Sequence, residues 1–282
     1  MDFVIVRTFD HTGYYETRLI LLLISLSLAI YLWRAKQEKR YLVVFFNSAL
    51  MMALMEYALQ ASGLRGPGYS FSLFGLTISR AYGPVIQGLL EGGICGLMAL
   101  WFADLRAMRA KVKQWLPYLA TCGLVAGLAI LTGILSRHRP ISSVRPMFSL
   151  TPILIVTSII FFSLLIAWRR DALSVLANYF AGLLVFSLIN FEPLHLLGAR
   201  YVGLQENLQL VPAGSMWQIL MMTLSHIYES SGGKLHYFMI PFAFGLVALK
   251  EKAAEETARL SYQHLQALTQ RGWRKKSKPF QR

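Results

Sequence analysis

The apolar residues of this chain fall in blocks long enough to cross a lipid bilayer, and this feature restricts the fold more than any other. A helix needs about 20 predominantly apolar residues to span the hydrocarbon core, and such blocks recur along most of the sequence. Of the 282 residues, 55% are hydrophobic and only 15% are charged, which lies outside the usual range of soluble domains. We therefore predict an all-α integral membrane protein and exclude the soluble globular classes.

The blocks predict a bundle of seven transmembrane helices. Their approximate ranges are 18–34, 42–62, 83–103, 116–135, 147–168, 173–195 and 235–249. The stretch 208–228 is also apolar enough to cross, but an eighth span would carry the basic C-terminus to the outside. We expect this stretch to lie in the outer interface or to re-enter the bundle, since non-spanning backbone is tolerated where protein covers it. An eight-span arrangement is the alternative.

The distribution of Lys and Arg predicts the orientation in the membrane. Dense cationic stretches at 34–40 and 106–113 follow the first and third blocks, and such loops stay in the cytoplasm. This places the N-terminus outside and the C-terminus inside, in what we expect to be a bacterial cytoplasmic membrane. Arg137, Arg139 and Arg145 fall in an outer loop and weaken the count locally. Because topology and anionic headgroups account for the net charge of +14, we expect membrane lipids and not nucleic acid as partners.

Two further segments complete the predicted organisation. Residues 69–79 alternate apolar and small polar side chains around a glycine, which predicts a short outer β-hairpin that could act as a lid. Residues 1–249 form the transmembrane domain, and residues 250–282 form a cytoplasmic helix with a basic tail. The basic run 271–278 would bind anionic lipid at about 1 kcal/mol per cation, and docking of a protein partner is the alternative.

Two acidic residues within the predicted spans are the strongest functional candidates. Glu56 lies in the outward part of span two, and Glu91 lies in the outer part of span three. An acid near the middle of a membrane costs about 2.5–3.5 kcal/mol even on the cheaper insertion scale, so each should face protein or a water-filled cavity. At a rise of about 1.5 Å per residue both fall in the outer half of the bilayer and could meet.

A second set of polar residues lies at the outer ends of later segments. Glu192 and His195 are three residues apart at the end of span six, and His226 and Glu229 are three apart near the last span. A carboxylate and an imidazole at this spacing share a helical face and can hold a divalent metal ion. With the two acids above, the set is similar to the ligands of carboxylate-bridged dimetal bundles. Pro193 should disrupt the first pair, and ordinary interfacial residues are the alternative interpretation.

A stripe of small residues surrounds the acid of span three. The pattern Gly88-x-x-x-Gly92-x-x-x-Gly96 lets a neighbouring helix approach closely, either within the chain or in a dimer. Gly123 and Gly127 of span four could supply the facing groove.

No glycine-rich phosphate loop, nucleophile elbow or cysteine pair is present in the sequence, and we recognise no family. Three functions remain open. The first is an enzyme that modifies an apolar lipid or isoprenoid, with Glu56 and Glu91 as catalytic acids, assisted by Glu192 and His195. The second is a proton-coupled carrier for which the same acids relay protons. The third is a non-catalytic membrane subunit or sensor whose basic tail binds a protein partner.

Overall fold

The computed structural model describes residues 2–63, 70–79, 81–206 and 209–248. Within these ranges six helices are long and apolar enough to cross a membrane by length and composition, which indicates a multi-pass membrane protein. They are α1 (Tyr14–Lys36), α2 (Lys39–Ala61), the helix formed by α3 (Gly83–Gln87) and α4 (Gly93–Ala107), α5 (Val112–Ser136), α6 (Leu150–Arg169) and α7 (Leu173–Leu196). The first six predicted helices are thereby confirmed. Helix α7 continues through Pro193, contrary to prediction, because a proline in the last turn removes only one backbone hydrogen bond.

The third crossing is interrupted by a π-helical turn. This turn, π1 (Gly88–Gly92), joins α3 to α4 and carries Glu91. Its glycines pack on the backbone of α2: an added Cβ would lie 2.5 Å from the carbonyl oxygen of Ala49 at Gly88, and 2.5 Å from that of Ser48 at Gly92. The small-residue stripe therefore packs within the chain, against α2. Gly123 and Gly127 of span four do not supply the facing groove, because nothing lies within 4 Å of an added Cβ at either position.

A four-stranded antiparallel sheet lies at one end of the bundle, where α5 and α7 have their C-termini. Its strands are β1 (Asp2–Arg7), β4 (Ser143–Pro146), β5 (Arg200–Glu206) and β6 (Gln209–Pro212), in the order β4-β1-β5-β6. The prediction of an all-α fold is wrong in this respect. Three remote parts of the chain build the sheet, so no local pattern announced it.

The predicted hairpin is confirmed as a separate two-stranded sheet. It consists of β2 (Phe71–Leu73) and β3 (Leu76–Ile78). The turn residues Phe74 and Gly75 have φ angles of 51° and 74°, as a tight hairpin turn with two left-handed residues requires. The backbone N–H of Phe74 donates to Glu16 Oε1 at 2.5 Å, which ties the hairpin to α1.

A broken helical segment over residues 215–243, here called the terminal segment, lies near the C-terminal limit of the described residues. It consists of α8 (Ser215–Leu224), a second π-helical turn π2 (Ser225–Ser231), a 3₁₀ turn (Gly232–Lys234) and α9 (His236–Ala243).

The two ends of the terminal segment contact opposite ends of the bundle. At its start, Gln218 of α8 binds the N–H and carbonyl of Val202 in β5 at 2.8 and 2.6 Å. At its finish, Arg170, which follows α6, donates to the Ala243 carbonyl at 2.7 Å. Of the stretch 208–228, residues 209–228 contain β6, α8 and the start of π2, and its interfacial or re-entrant position in the membrane stays a prediction. The predicted helix and basic tail beyond residue 250 lie outside the described residues.

Close packing at π1 predicts a large difference between two glycines of the bundle. We expect Gly92→Ala to lower the stability of the protein by about 1–3 kcal/mol, because the methyl group must displace the α2 backbone. The control is Gly127→Ala, which gains the same methyl group in open space. Thermal unfolding in detergent, followed by intrinsic fluorescence, measures both. Equal melting temperatures for the two variants would contradict the close approach.

Candidate functional site

A charged cavity lies between the sheet and the helices and has a volume of about 70 Å³. Its lining residues come from the sheet, α2, π1, α7 and the terminal segment. They are Arg7, Met52, Met55, Glu56, Leu59, Glu91, Arg145, Phe191, Arg200, Glu229, Ser230 and Lys234. We refer to this space as the charged cavity. The two acids that sequence reasoning placed at similar depth, Glu56 and Glu91, therefore line one space.

Strand pairing places three arginines on one face of the sheet. Arg7 of β1 lies directly opposite Arg200 of β5, and Arg145 of β4 lies opposite Ile5. Because alternate residues of a strand share a face, Ile5 and Arg7 project to the same side, and their cross-strand partners do so too. The sheet therefore presents a concentrated positive charge to the cavity. This arrangement is unfavourable in itself, because like charges directly opposite one another are destabilising.

Arg200 is the most deeply buried of these cations, with 2% of its surface exposed. Its Nη2 donates to Ser225 Oγ at 3.0 Å, and its Cζ lies 4.6 Å from the centre of the Phe191 ring. Burial, reinforced by the nearby charges of Arg7 and Arg145, lowers the pKa of Arg200 from its ordinary value to about 9. Its Nε and Nη1 atoms are buried without a hydrogen-bond partner among the described residues.

The acids of the cavity come from helices, two of them from π-helical turns. Glu91 lies on π1 and Glu229 on π2, and such turns occur frequently at functional sites. Glu229 forms an ion pair with Arg145 and also accepts a hydrogen bond from Ser225 Oγ at 3.3 Å. Glu56 is 2% exposed on α2. The cavity thus brings three carboxyl groups to the sheet's arginines inside an otherwise apolar bundle.

A second space, here called the imidazole groove, lies between α7 and the terminal segment. It has a volume of about 290 Å³ and apolar walls, with Glu192, His195 and His226 among its lining residues. His226 Nε2 lies 3.1 Å from Glu192 Oε2, and His226 Nδ1 lies 2.8 Å from Ser187 Oγ. In the tautomer with its proton on Nε2, the His226 imidazole donates to Glu192 and accepts from the Ser187 hydroxyl. His195 Nδ1 donates to the Arg200 carbonyl at 3.1 Å.

Phe191 lies between these two spaces. One side of the residue faces the charged cavity, where Arg200 and Lys234 both lie within 6 Å of its ring centre. The His226 ring is stacked near it, with a distance of 6.5 Å between ring centres. A single aromatic side chain therefore borders the charged cavity and packs near the Glu192–His226 pair.

A third space, the apolar groove, adjoins the charged cavity. It has a volume of about 250 Å³. Its lining residues are Met147, Phe148, Ile153, Leu224, Ser225, Tyr228 and Glu229. Glu229 lines both the apolar groove and the charged cavity, so the two spaces are neighbours.

The predicted metal ligands do not gather into one cluster. Glu192 and His226 are in contact, but Glu229 pairs with Arg145 and lies in a different space. Among the described residues no group of three or more His, Cys, Asp or Glu side chains could hold a metal ion. The divalent metal stays a prediction, which elemental analysis of purified protein tests.

Sequence reasoning missed the cations of the site. Arg145 was counted only as an exception to the positive-inside rule, although an arginine on the outer side could have indicated a functional cation. Arg7 and Lys234 gave no signal, since each stands alone near a predicted span. Arg200 gave none either, because its importance depends on its pairing opposite Arg7 in the sheet.

The chain was compared with known proteins at the levels of sequence family, curated sequence and solved structure. No protein-family model matches it, and neither a curated protein nor a solved structure does. Its function must therefore be argued from its own geometry.

Proposed function

We propose that the protein is a membrane-embedded enzyme that modifies a lipid or isoprenoid by acid–base chemistry in the charged cavity. The observation that supports this proposal is the meeting of Glu56 and Glu91 in one cavity lined by Arg7, Arg145, Arg200 and Lys234. Burying so many ionisable groups in an apolar bundle is costly, and such residues in membrane proteins usually mark a functional site.

The three acids of the cavity differ in their surroundings, which divides their roles. Glu229 forms an ion pair with Arg145, so we assign proton transfer to Glu56 and Glu91. Carboxyl groups in different environments can serve as acid and base in the same reaction. The surrounding cations would stabilise negative charge that develops on the substrate.

The imidazole groove supplies an assisting group for this chemistry. His226 bridges Ser187 and Glu192 in a hydrogen-bonded chain, and such a chain can pass a proton between its two ends. Glu192, His195 and His226 line the imidazole groove and not the charged cavity. We therefore assign them a supporting role and not a direct one.

The enzyme proposal is tested by comparing lipid extracts from cells that express the wild type, Glu91→Gln or Glu56→Gln. We expect at least one lipid to change in abundance with the wild type. Each variant should reduce that change by about 100-fold or more, since a positioned acid or base contributes on this scale. Asp2→Asn, at an exposed position of the sheet, is the control. Correctly folded Gln variants with full turnover of the identified lipid would refute the proposal.

A proton-coupled carrier is the second candidate, favoured by the broken terminal segment. Discontinuous helices often form the substrate and ion sites of carriers, and in this segment a π-helical turn and a 3₁₀ turn separate α8 from α9. Uptake into proteoliposomes that ignores an imposed pH gradient would exclude this function. The sensor or subunit function depends on the basic tail beyond residue 250 and stays a prediction.

A further inference from the structure

Arg200 has donors that no described residue satisfies. Its Nε and Nη1 atoms are buried and unpartnered, and its one hydrogen bond goes to a neutral hydroxyl, Ser225 Oγ, at 3.0 Å. No acidic side chain in the described ranges forms an ion pair with it; Glu229, whose charge also acts on Arg200, is paired with Arg145. A buried charge that lacks an ion-pair partner of its own is unfavourable, so this guanidinium is a candidate binding site for an anion.

The surroundings of Arg200 raise the local positive charge further. Arg7 lies directly opposite Arg200 in the strand pair. Lys234 Nζ lies 5.6 Å from the centre of the Phe191 ring, and Arg200 Cζ lies 4.6 Å from the same point. Guanidinium groups bind phosphate and carboxylate through two parallel hydrogen bonds. Nε and Nη1 lie on different edges of the guanidinium, and each edge is completed by one of the two Nη2 hydrogens. Because Nη2 donates only one hydrogen to Ser225, an anion can form a bidentate contact with the other Nη2 hydrogen and either Nε or Nη1.

The neighbouring apolar groove indicates what carries the anion. The groove shares Glu229 with the charged cavity as a lining residue, and Ser225, the hydrogen-bond partner of Arg200, also lines the groove. A molecule with its anionic end at Arg200 could therefore extend an apolar chain past Leu224 and Ile153. The small volume of the cavity, about 70 Å³, favours a small headgroup.

We propose that the charged cavity and the apolar groove together bind an amphiphile, with its phosphate or carboxylate headgroup on Arg200 and its hydrocarbon chain in the groove. The proposal names the substrate class of the enzyme site and in that sense rests on the proposed function. Its binding step is independent of turnover and can be measured without a known reaction.

The test uses wild-type protein in phosphatidylcholine nanodiscs and four probes: dodecyl phosphate, dodecanoate, dodecanol and inorganic phosphate. Binding is followed by thermal stabilisation, which increases with ligand concentration relative to Kd. We expect dodecyl phosphate and dodecanoate to bind about tenfold or more tightly than dodecanol, because charge-assisted hydrogen bonds form only with the anions. Inorganic phosphate should bind more weakly than dodecyl phosphate, because it leaves the groove empty.

Three variants assign the binding to the named residues. Arg200→Gln should weaken dodecyl phosphate about tenfold or more, whereas Arg139→Gln, an exposed arginine that follows α5, should leave it within about twofold. Leu224→Trp narrows the groove at a side chain that is 42% exposed, and it should weaken dodecyl phosphate but not inorganic phosphate.

Each contrary result overturns a defined part of the proposal. Equal binding of dodecanol and dodecyl phosphate to the wild type would refute the anion site, even if Arg200→Gln fails to fold. Equal binding of inorganic and dodecyl phosphate would make the site one for a free anion. Binding as expected with no lipid turnover would refute the enzyme and leave the amphiphile site. Lipid turnover without tighter binding of the anionic probes would refute the amphiphile site and leave the enzyme proposal standing.

Discussion

Replacing Asp104 with asparagine should lower the free energy of unfolding by about 3–5 kcal/mol, the usual cost of breaking a buried ion pair. Asp104 is fully buried near the end of α4. Arg40 reaches both of its oxygens, at 2.7 Å to Oδ1 and 2.6 Å to Oδ2, and the Tyr41 hydroxyl donates to Oδ2 at 2.5 Å. An amide keeps the shape of the side chain but removes the charge that faces the Arg40 guanidinium.

The matched control for this change is Asp171→Asn, at an exposed turn between α6 and α7. It makes the same chemical change without a buried cation opposite. Equilibrium unfolding by SDS in mixed micelles gives both free energies. A loss at Asp104 no larger than at Asp171 would show that the pair with Arg40 contributes little.

Glu229→Gln should be the second largest destabilisation, at about 2–3 kcal/mol, because Arg145 and Arg200 then face the cavity with less compensating charge. We place the loss below that for Asp104 because the side chains of Arg145 and Glu229 retain 14% and 16% of their exposure, and water screens such a pair in part. The same unfolding measurement in mixed micelles applies.

A double variant separates the ion pair from the fold. Removing both charges, as Arg145→Gln with Glu229→Gln, should recover most of the stability, because the unopposed positive charge disappears together with its partner. If the two residues did not interact, the loss of unfolding free energy in the double variant would equal the sum of the losses in the two single variants. That additive result would contradict the role assigned to Glu229.

The parts of the fold that were predictable depend on local composition. Six helices and the hairpin around Gly75 followed from apolar blocks and turn residues, and the shared depth of Glu56 and Glu91 followed from counting along two helices. The terminal segment was only partly predicted, because its apolar stretch is divided by π2 and a 3₁₀ turn. Neither change of helix type has a signal in hydropathy.

The candidate site was less predictable, because it depends on pairs of residues that are distant in sequence. The spacing of His226 and Glu229 suggested one metal-binding face, but Arg145, 84 residues before Glu229, takes that carboxylate instead. The contact of His226 with Glu192 also joins two different helical segments. Spacing along one helix can propose such partners but cannot choose among competing ones.

The sequence by itself determined that the protein has the helices of a multi-pass membrane protein, because transfer of a segment into lipid depends on the composition of that segment alone. Only the tertiary structure decided that a sheet closes one end of the bundle and that its register sets Arg7 opposite Arg200. Strand pairing joins two remote segments, with Arg7 of β1 opposite Arg200 of β5, and the charge of the cavity follows from that pairing. The helices could be found one segment at a time, whereas the site exists only where remote segments meet.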